Sequence, residues 1–159
     1  MSIERVRDFF KGLGMEDRIR EFDVSSATVE LAAEALGCEG GKIAKTLSFY
    51  DTDGAILVVC AGDAKVSNSK FKAKFGMKPR MLSREDAESL IGHAVGGVCP
   101  FAVNEGVKVF LDESLFRFET VYPAAGSSNS AVEMTPDEVF KYSYAKERVD
   151  VCNIPEDEV

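Results

Sequence analysis

The segment from Gly92 to Phe101 contains the residues whose types could do chemistry. It holds His93, the only histidine of the 159-residue chain, together with Cys99. Two neighbouring glycines, Gly96 and Gly97, let the main chain adopt positive φ values and let a ligand approach the backbone closely. These features are typical of a loop that recognises a small polar ligand, and equally of a tight turn between strands. A Cys-His nucleophile pair is a third interpretation, although six residues in a loop do not require the side chains to meet.

Lys45 is a second candidate, at the start of the apolar segment 43–50. Strand alternation places it on the same face as Leu47 and Phe49. Such a lysine either extends its ammonium to solvent at the rim of a sheet or points into a ligand cleft. In a cleft it would supply a compact cation for a phosphate or carboxylate. The polar turn at residues 126–129 adds backbone N–H groups that could form an anion or oxyanion site, although most such turns bind no ligand.

The charge of the chain is unevenly distributed. The formal net charge is −8, which argues against DNA binding. However, residues 65–84 contain no acidic residue and carry Lys65, Lys70, Lys72, Lys74, Lys78, Arg80 and Arg84. One basic segment on an acidic chain fits local contact with a polyanion better than wrapping of a long duplex, and a solvated helix face is the alternative interpretation.

Several classes of site lack their sequence signatures. The four cysteines are scattered without a C-x-x-C pair, and with one histidine we predict no metal site. The motifs of P-loops, dinucleotide-binding folds, serine hydrolases and zinc hydrolases are missing from the sequence, so we predict no cofactor. No apolar run reaches the ~18 residues that cross a bilayer, and charges occupy the N-terminus. We therefore expect a cytoplasmic protein without membrane association.

The elements that must position these residues follow from hydrophobic spacing and turn residues. Asp51 to Gly54 predicts a hairpin between strands 43–50 and 55–60. Further helices are predicted at 3–13, 29–36, 67–75, 83–91 and from 135, and further strands at 18–24, 107–111, 118–122 and 131–134. Hairpins mixed with helices, without regular βαβ alternation, predict an α+β fold with a mainly antiparallel sheet. We predict one domain over residues 1–152 and an acidic tail over 153–159.

Several short motifs occur in a fixed order along the chain. They are Ser26-Ala27-Thr28, Lys45-Thr46-Leu47, Gly62-Asp63-Ala64-Lys65, Gly92 to Phe101, Leu111-Asp112-Glu113-Ser114, and Gly126-Ser127 before Val132-Glu133-Met134. With this ordered set, the chain resembles the YbaK/prolyl-tRNA synthetase-associated (insertion-type editing) domain family over about residues 20–143. The Gly-Gly-Val-Cys-Pro-Phe run is the most specific part of the resemblance.

The resemblance implies a compact α+β domain with a curved, mixed sheet flanked by helices. It also implies a freestanding enzyme that hydrolyses wrongly aminoacylated tRNA, typically tRNA(Pro) carrying alanine or cysteine. Lys45 matches the family's essential lysine, which holds the 3′-terminal adenosine or its phosphate. Gly96 and Gly97 match the substrate loop, and Gly126 and Ser127 match a second substrate-facing turn. Water, or a hydroxyl or thiol of the substrate, attacks the ester, so the family needs no protein nucleophile.

We accordingly predict Lys45 and Gly97 as catalytic residues. The predicted substrate contacts are Ser26, Thr28, Asp63, His93, Gly96, Gly97, Val98, Gly126 and Ser127. The predicted contacts to the acceptor end of tRNA are Lys65, Lys70, Lys72 and Lys74. The sequence departs from the family at Ala102, where many members have glycine, and at His93, where others carry an aromatic residue, so amino-acid specificity does not transfer.

Two other functions fit the same residues. One is a non-catalytic module that binds a tRNA end or small ligand, in association with an aminoacyl-tRNA synthetase. The other is a hydrolase that uses Cys99 as its nucleophile. Turnover of a mischarged tRNA separates the first from the deacylase, and full activity of Cys99→Ala would exclude the second.

Overall fold

The computed structural model describes residues 2–93 and 97–155. The helices are α1 (Ser2–Gly12), α2 (Val29–Leu36), α3 (Asn68–Phe75), α4 (Arg84–Asp86) and α5 (Pro136–Tyr142). The strands are β1 (Ile19–Glu21), β2 (Ile43–Asp51), β3 (Gly54–Ala61), β4 (Lys65–Val66), β5 (Lys108–Asp112), β6 (Tyr122–Pro123), β7 (Ser130–Val132), β8 (Glu147–Val149) and β9 (Cys152–Asn153). Single 3₁₀ segments lie at Glu16–Arg18, Gly40–Lys42 and Glu113–Arg117, and a π-turn at Ala87–Ile91 extends α4.

The central sheet has the strand order β6-β2-β3-β5-β8. Its β2–β3 ladder is antiparallel and closes at the pair Asp51–Gly54, as the sequence predicted. The other pairs in this sheet are parallel, because the chain passes through helical segments or loops before each partner strand. Two small sheets, β1–β7 and β4–β9, are antiparallel. This mixed, curved sheet with flanking helices confirms the predicted α+β class.

The strand β3 is buried on both faces, and its residues alternate between two apolar clusters. Leu57 and Val59 pack in one cluster, which includes Phe10 of α1. Ile56 and Val58 pack in the other, which also contains Phe71 of α3 and Phe110 of β5. A strand covered on both sides reads as a continuous apolar run rather than an alternating one, which is how residues 55–61 appear in the sequence.

Local signals determine where the helices begin and end. The Thr28 hydroxyl accepts a hydrogen bond from the Leu31 amide at the start of α2, and Gly37 ends the helix with a φ of 68°. The strand predicted at 118–122 is wrong for most of its length, since only Tyr122 and Pro123 enter β6. At the other end of the chain, Asn153 pairs with Lys65, one residue beyond the predicted domain boundary, and residues 156–159 lie outside the described part.

A buried carboxylate connects the end of β5 to the C-terminal segment. Asp112 is 1% exposed, and its two oxygens accept hydrogen bonds from the amides of Ser114 and Val151, each at 2.9 Å. The first bond starts the 3₁₀ segment Glu113–Arg117, which explains why the chain turns here. The second holds the approach to β9. Within the described ranges, no helix has the length and apolarity needed to span a membrane.

Replacing Asp112 with alanine should destabilise the fold. Two buried amides would lose a charged acceptor, and we expect the free energy of unfolding to fall by about 2–4 kcal/mol. Asp150→Ala is the matched control, because Asp150 is exposed and its ion pair with Lys70 lies at the surface, where such pairs contribute about 0–1 kcal/mol. Denaturant unfolding of both variants measures the difference. Equal losses of unfolding free energy in the two variants would contradict the conclusion that the hydrogen bonds of Asp112 stabilise the fold.

Candidate active site

A cleft of about 360 Å³ opens beside the outer edge of β2. One wall consists of residues 26–29 at the start of α2, and the opposite wall includes Met81 and Leu82. The floor is β2 itself from Ile43 to Ser48, and residues of β6, β7 and the glycine-rich segment complete the lining. The cleft therefore gathers segments that are far apart in the sequence.

The cleft exists because, among the residues that the structure describes, the outer edge of β2 is paired only at its two ends. At one end, Ile43 and Ala44 pair with β6. At the other end, the Tyr50 amide donates to the Arg80 carbonyl at 2.9 Å, and the Ser48 carbonyl accepts from Leu82 at 3.1 Å.

Thr46 lies between these two pairings. It has the same parity as Ser48 and Tyr50, so its backbone N–H and C=O also point away from β3, towards the cleft. The Thr46 hydroxyl is buried and has no hydrogen-bond partner among the residues that the structure describes. The middle of the edge therefore offers polar groups that a ligand could pair.

Lys45 is half-buried in the wall of this cleft. Its Nζ donates a hydrogen bond to the carbonyl oxygen of Ala64, one residue before the basic segment begins. The side chain is thereby held at the protein rather than extended into solvent, and Lys45 also lines the cleft. Its predicted role in binding stays a prediction. An ammonium held at one carbonyl keeps two further N–H donors for a ligand.

The two glycine-containing turns predicted for the site are in contact. A Cβ atom added to Gly97 would lie 2.7 Å from backbone atoms of both Gly126 and Ser127, a distance that no real Cβ tolerates. Gly97 is thus required by the close approach of the two backbones. Val98, the next residue, lines the cleft. Gly96 lies outside the described residues, so its predicted contact stays a prediction.

Hydrogen bonds fix the second turn to the irregular segment that leads into α2. The Ser127 hydroxyl bonds to the hydroxyl of Ser130 at 2.6 Å and to Asn129 Oδ1 at 3.0 Å. The Ser26 amide donates to the Ser128 carbonyl at 2.7 Å. The Ser26 to Thr28 motif and the Gly126 turn therefore form one rigid unit, although roughly 100 residues separate them.

His93 and Cys99 meet inside the glycine-rich segment, away from the cleft lining. Both are fully buried. The Nε2 of His93 lies 2.8 Å from the Phe101 carbonyl, and the Cys99 sulfur lies 3.6 Å from the same nitrogen. Burial raises the pKa of the Cys99 thiol to about 12, so the thiol stays protonated at neutral pH. Because the thiolate is the nucleophile, this environment argues against a Cys99-dependent hydrolase.

Three of the remaining predicted residues are paired with other side chains, and two are exposed. Asp63 forms a two-pronged ion pair with Arg117. In the basic segment, Lys70 pairs with Asp150 at 3.1 Å and Lys74 pairs with Glu147. Lys65 and Lys72 are exposed. The predicted roles of all these residues in binding stay predictions.

Sequence reasoning missed Tyr122 and Met81, which both line the cleft. The Tyr122 hydroxyl donates to Glu133 at 3.2 Å, and burial raises the pKa of Tyr122. Glu133 in turn pairs with Arg20 at 2.9 Å. Tyr122 reaches the site through the two-residue strand β6, and Met81 reaches it through an isolated bridge to Phe49. Neither arrangement has a recognisable spacing in the sequence.

Comparison of the sequence and fold with known proteins identifies the family of this chain. The model of the aminoacyl-tRNA editing domain family matches residues 24–142. The uncharacterized protein YwhH of Bacillus subtilis (strain 168) is 49% identical over 153 residues, covering 96% of this chain and 98% of that protein. A protein of Enterococcus faecalis (strain ATCC 700802 / V583), named "Putative Cys-tRNA(Pro)/Cys-tRNA(Cys) deacylase EbsC", is 28% identical over 114 residues, covering 70% of each chain.

A solved structure shares the fold. A crystal structure described as "a putative trans-editing enzyme for prolyl tRNA synthetase" superimposes with a TM-score of 0.86 and 29% identity, covering 96% of this chain and 97% of that one. The chain belongs to the aminoacyl-tRNA editing domain family. The family confirms the predicted class of enzyme, an aminoacyl-tRNA deacylase, with tRNA as its substrate.

The buried histidine should make stability depend on pH. Burial lowers the pKa of His93 below its usual 6.5, and Nδ1 has no partner among the described residues. The unfolded chain therefore binds a proton before the folded chain does as the pH falls. The contribution of His93 to the free energy of unfolding is therefore constant above about pH 6.5. Below that pH the free energy of unfolding falls by up to about 1.4 kcal/mol per pH unit.

Denaturant unfolding between pH 7.5 and 5 checks this linkage. His93→Gln keeps a donor for the Phe101 carbonyl but does not titrate. We expect the wild-type stability to fall more steeply than that of the variant below pH 6.5. Parallel curves for the two proteins would contradict the lowered pKa.

Proposed function

We propose that this protein is a freestanding deacylase that hydrolyses mischarged tRNA(Pro) carrying a small non-cognate amino acid. The observation that carries the proposal is the position of Lys45. It is half-buried in the wall of a cleft whose other walls contain Ser26, Thr28 and Val98, all members of the motifs that resemble the family. The cleft has the size of a small-molecule site, and its open strand edge supplies polar groups. We expect the enzyme to act in the cytoplasm.

The site suits a substrate that is already reactive. An aminoacyl ester needs only a positioned water, or a nucleophilic group of the amino acid itself, and donors for the developing oxyanion. Attack on the carbonyl carbon breaks the bond to the ribose oxygen, which leaves with a proton. Lys45 would hold the terminal adenosine or its phosphate through N–H donors not used by Ala64. Gly97 and the Gly126 turn do not themselves line the cleft, but Val98 and Ser130 beside them do, so their backbone N–H groups are the proposed donors to the carbonyl oxygen.

Removing the Lys45 ammonium should abolish most of the activity. In Lys45→Ala we expect the deacylation rate on mischarged tRNA(Pro) to fall by about 10²-fold, the typical effect of losing one aligned electrostatic contact. A panel of tRNAs mischarged with alanine, cysteine and serine, assayed by release of the amino acid, provides the measurement. Lys42→Ala is the matched control, since Lys42 lies three residues away and outside the cleft lining.

Two outcomes would contradict the proposal at different points. If the wild type hydrolyses no member of the panel, the enzymatic proposal for tRNA(Pro) fails. Saturable binding without turnover would then favour the non-catalytic module. If the panel is hydrolysed but Lys45→Ala retains full activity, the proposed role of Lys45 fails while the deacylase stands.

The basic segment is the proposed contact to the acceptor end of tRNA. It begins beside the carbonyl that holds Lys45 and includes Met81 in the cleft wall. Its lysines are not equivalent, because the charges of Lys70 and Lys74 are paired with carboxylates of the C-terminal segment. Lys65 and Lys72 have no ion-pair partner within the residues that the structure describes. We propose that these two lysines make the phosphate contacts.

The two pairs of lysines should respond differently to salt. For Lys65→Ala and Lys72→Ala we expect weaker tRNA binding. The slope of log K against log salt concentration should also become shallower, by roughly 0.7–0.9 for each lost phosphate contact. Lys70→Ala and Lys74→Ala are charge-matched controls that should leave this slope unchanged. Titrations of uncharged tRNA at several salt concentrations measure the slope. Equal slopes in all four variants would contradict the assignment.

A further inference from the structure

The helix α1 lies outside the matched family segment, yet it packs against the glycine-rich segment. Val6 and Phe10 of α1 are fully buried. The Phe10 ring meets the Phe101 ring edge-on, with centroids 4.9 Å apart and an interplanar angle of 68°. The family model begins only at residue 24. The back of the segment that holds Gly97 is therefore covered by a helix that precedes the matched domain.

Asn104 joins the two ends of this segment. Its side-chain amide donates to the carbonyls of Ser89 and Leu90 at 3.0 and 3.2 Å. Its backbone amide donates to the Ile91 carbonyl at 2.9 Å. The chain thus leaves the π-turn at Ile91 and returns to the same point at Asn104, which closes the base of a loop whose residues 92–93 and 97–103 the structure describes. We refer to these residues as the substrate loop.

Arg5 of α1 completes this closure. Its Nη2 donates to Asn104 Oδ1 at 3.0 Å, which leaves both side-chain atoms of Asn104 engaged. The guanidinium also covers Gly92, where an added Cβ would meet it and would lie 2.7 Å from Asn104 Oδ1. Gly92 has a φ of 97° and ends the π-turn. A guanidinium thus lies where any other residue at position 92 would place its side chain.

At its far end, the substrate loop is held by a contact between main chains. The backbone at Gly97 packs against backbone atoms of Gly126 and Ser127. Inside the loop, the imidazole of His93 donates to the Phe101 carbonyl. Backbone donors aid catalysis only when they are held in the geometry of the transition state, since a misplacement of about 1 Å can cost 10²-fold in rate. The closure at Asn104 holds together the two chain ends at which the loop leaves the protein body.

We propose that Asn104 and Arg5 are positioning residues of the deacylase, and that α1 is therefore part of the active-site architecture. They hold the base of the substrate loop so that the Gly97 backbone stays against the Gly126 turn. This inference rests on the proposed function, because it assumes that the loop contacts the aminoacyl group. It predicts an effect on the chemical step rather than on tRNA binding, since neither residue lies in the cleft lining.

The test compares Asn104→Ala, Arg5→Ala and the double variant with Arg7→Ala. Arg7 lies on the same helix but pairs with Glu21 instead, so its variant is the matched control. We expect kcat for a mischarged tRNA to fall about 10-fold in Asn104→Ala and about 3-fold in Arg5→Ala, with KM within about twofold of wild type. The double variant should resemble Asn104→Ala, because both residues act through one contact. Arg7→Ala should keep the wild-type kcat.

Hydrogen exchange provides a readout that does not need activity. In Asn104→Ala and Arg5→Ala, amide exchange in the peptide containing Gly97 and in that containing Ser127 should become faster than in Arg7→Ala. Arg5 is exposed, so Arg5→Ala carries the test even if Asn104→Ala does not fold. If the wild type is active and kcat and exchange are unchanged in Arg5→Ala, the inference is overturned while the proposed function stands. If no tRNA is hydrolysed but exchange rises as expected, the closure stands and the deacylase proposal fails.

Discussion

The site depends on the pairing of one strand. β2 is hydrogen-bonded to β3 along its whole length, which fixes its register and the face on which each side chain lies. Its other edge is bonded only near Ala44 and between Ser48 and Tyr50. If β6 continued along β2, the polar edge at Thr46 would be covered and no cleft would remain beside Lys45. The short β6, which ends at Pro123, is therefore as important for the site as the residues that line it, because proline cannot donate to a continuing ladder.

The few reactive side chains at the cleft are consistent with catalysis by positioned backbone groups. Where Gly97 meets Gly126 and Ser127, the two main chains approach so closely that no side chain fits between them. Such a contact holds two separate turns against each other without the entropy cost of ordering long side chains. The more reactive groups, His93 and Cys99, are enclosed in the substrate loop, where burial keeps the thiol protonated. Their structural contribution is to fill and brace the loop.

The sequence alone was sufficient for features with local causes. The β2–β3 hairpin follows from its Asp-Gly turn, and α2 from the Thr28 cap and Gly37. Features that depend on long-range contacts were not predictable. Lys70 and Lys74 of α3 are paired because β8 and the residue after it, Asp150, lie beside the helix. Of the strand expected at 118–122 only Tyr122 enters β6, where its partner is the distant Ile43.

The charge distribution fits the proposal of brief, local contact with tRNA better than tight binding. The chain carries a net charge of −8, which disfavours a polyanion over most of the surface. Acidic residues of the C-terminal segment pair with Lys70 and Lys74, whereas Lys65 and Lys72 have no ion-pair partner among the described residues. If tRNA binds through these two lysines, the few phosphate contacts mean fast release, because each contact adds to affinity through counterion release. A proofreading enzyme that acts on a rare mischarged tRNA gains from this, because correctly charged tRNA at high concentration would otherwise occupy it. Discrimination then belongs to the cleft beside β2 rather than to the tRNA-binding surface.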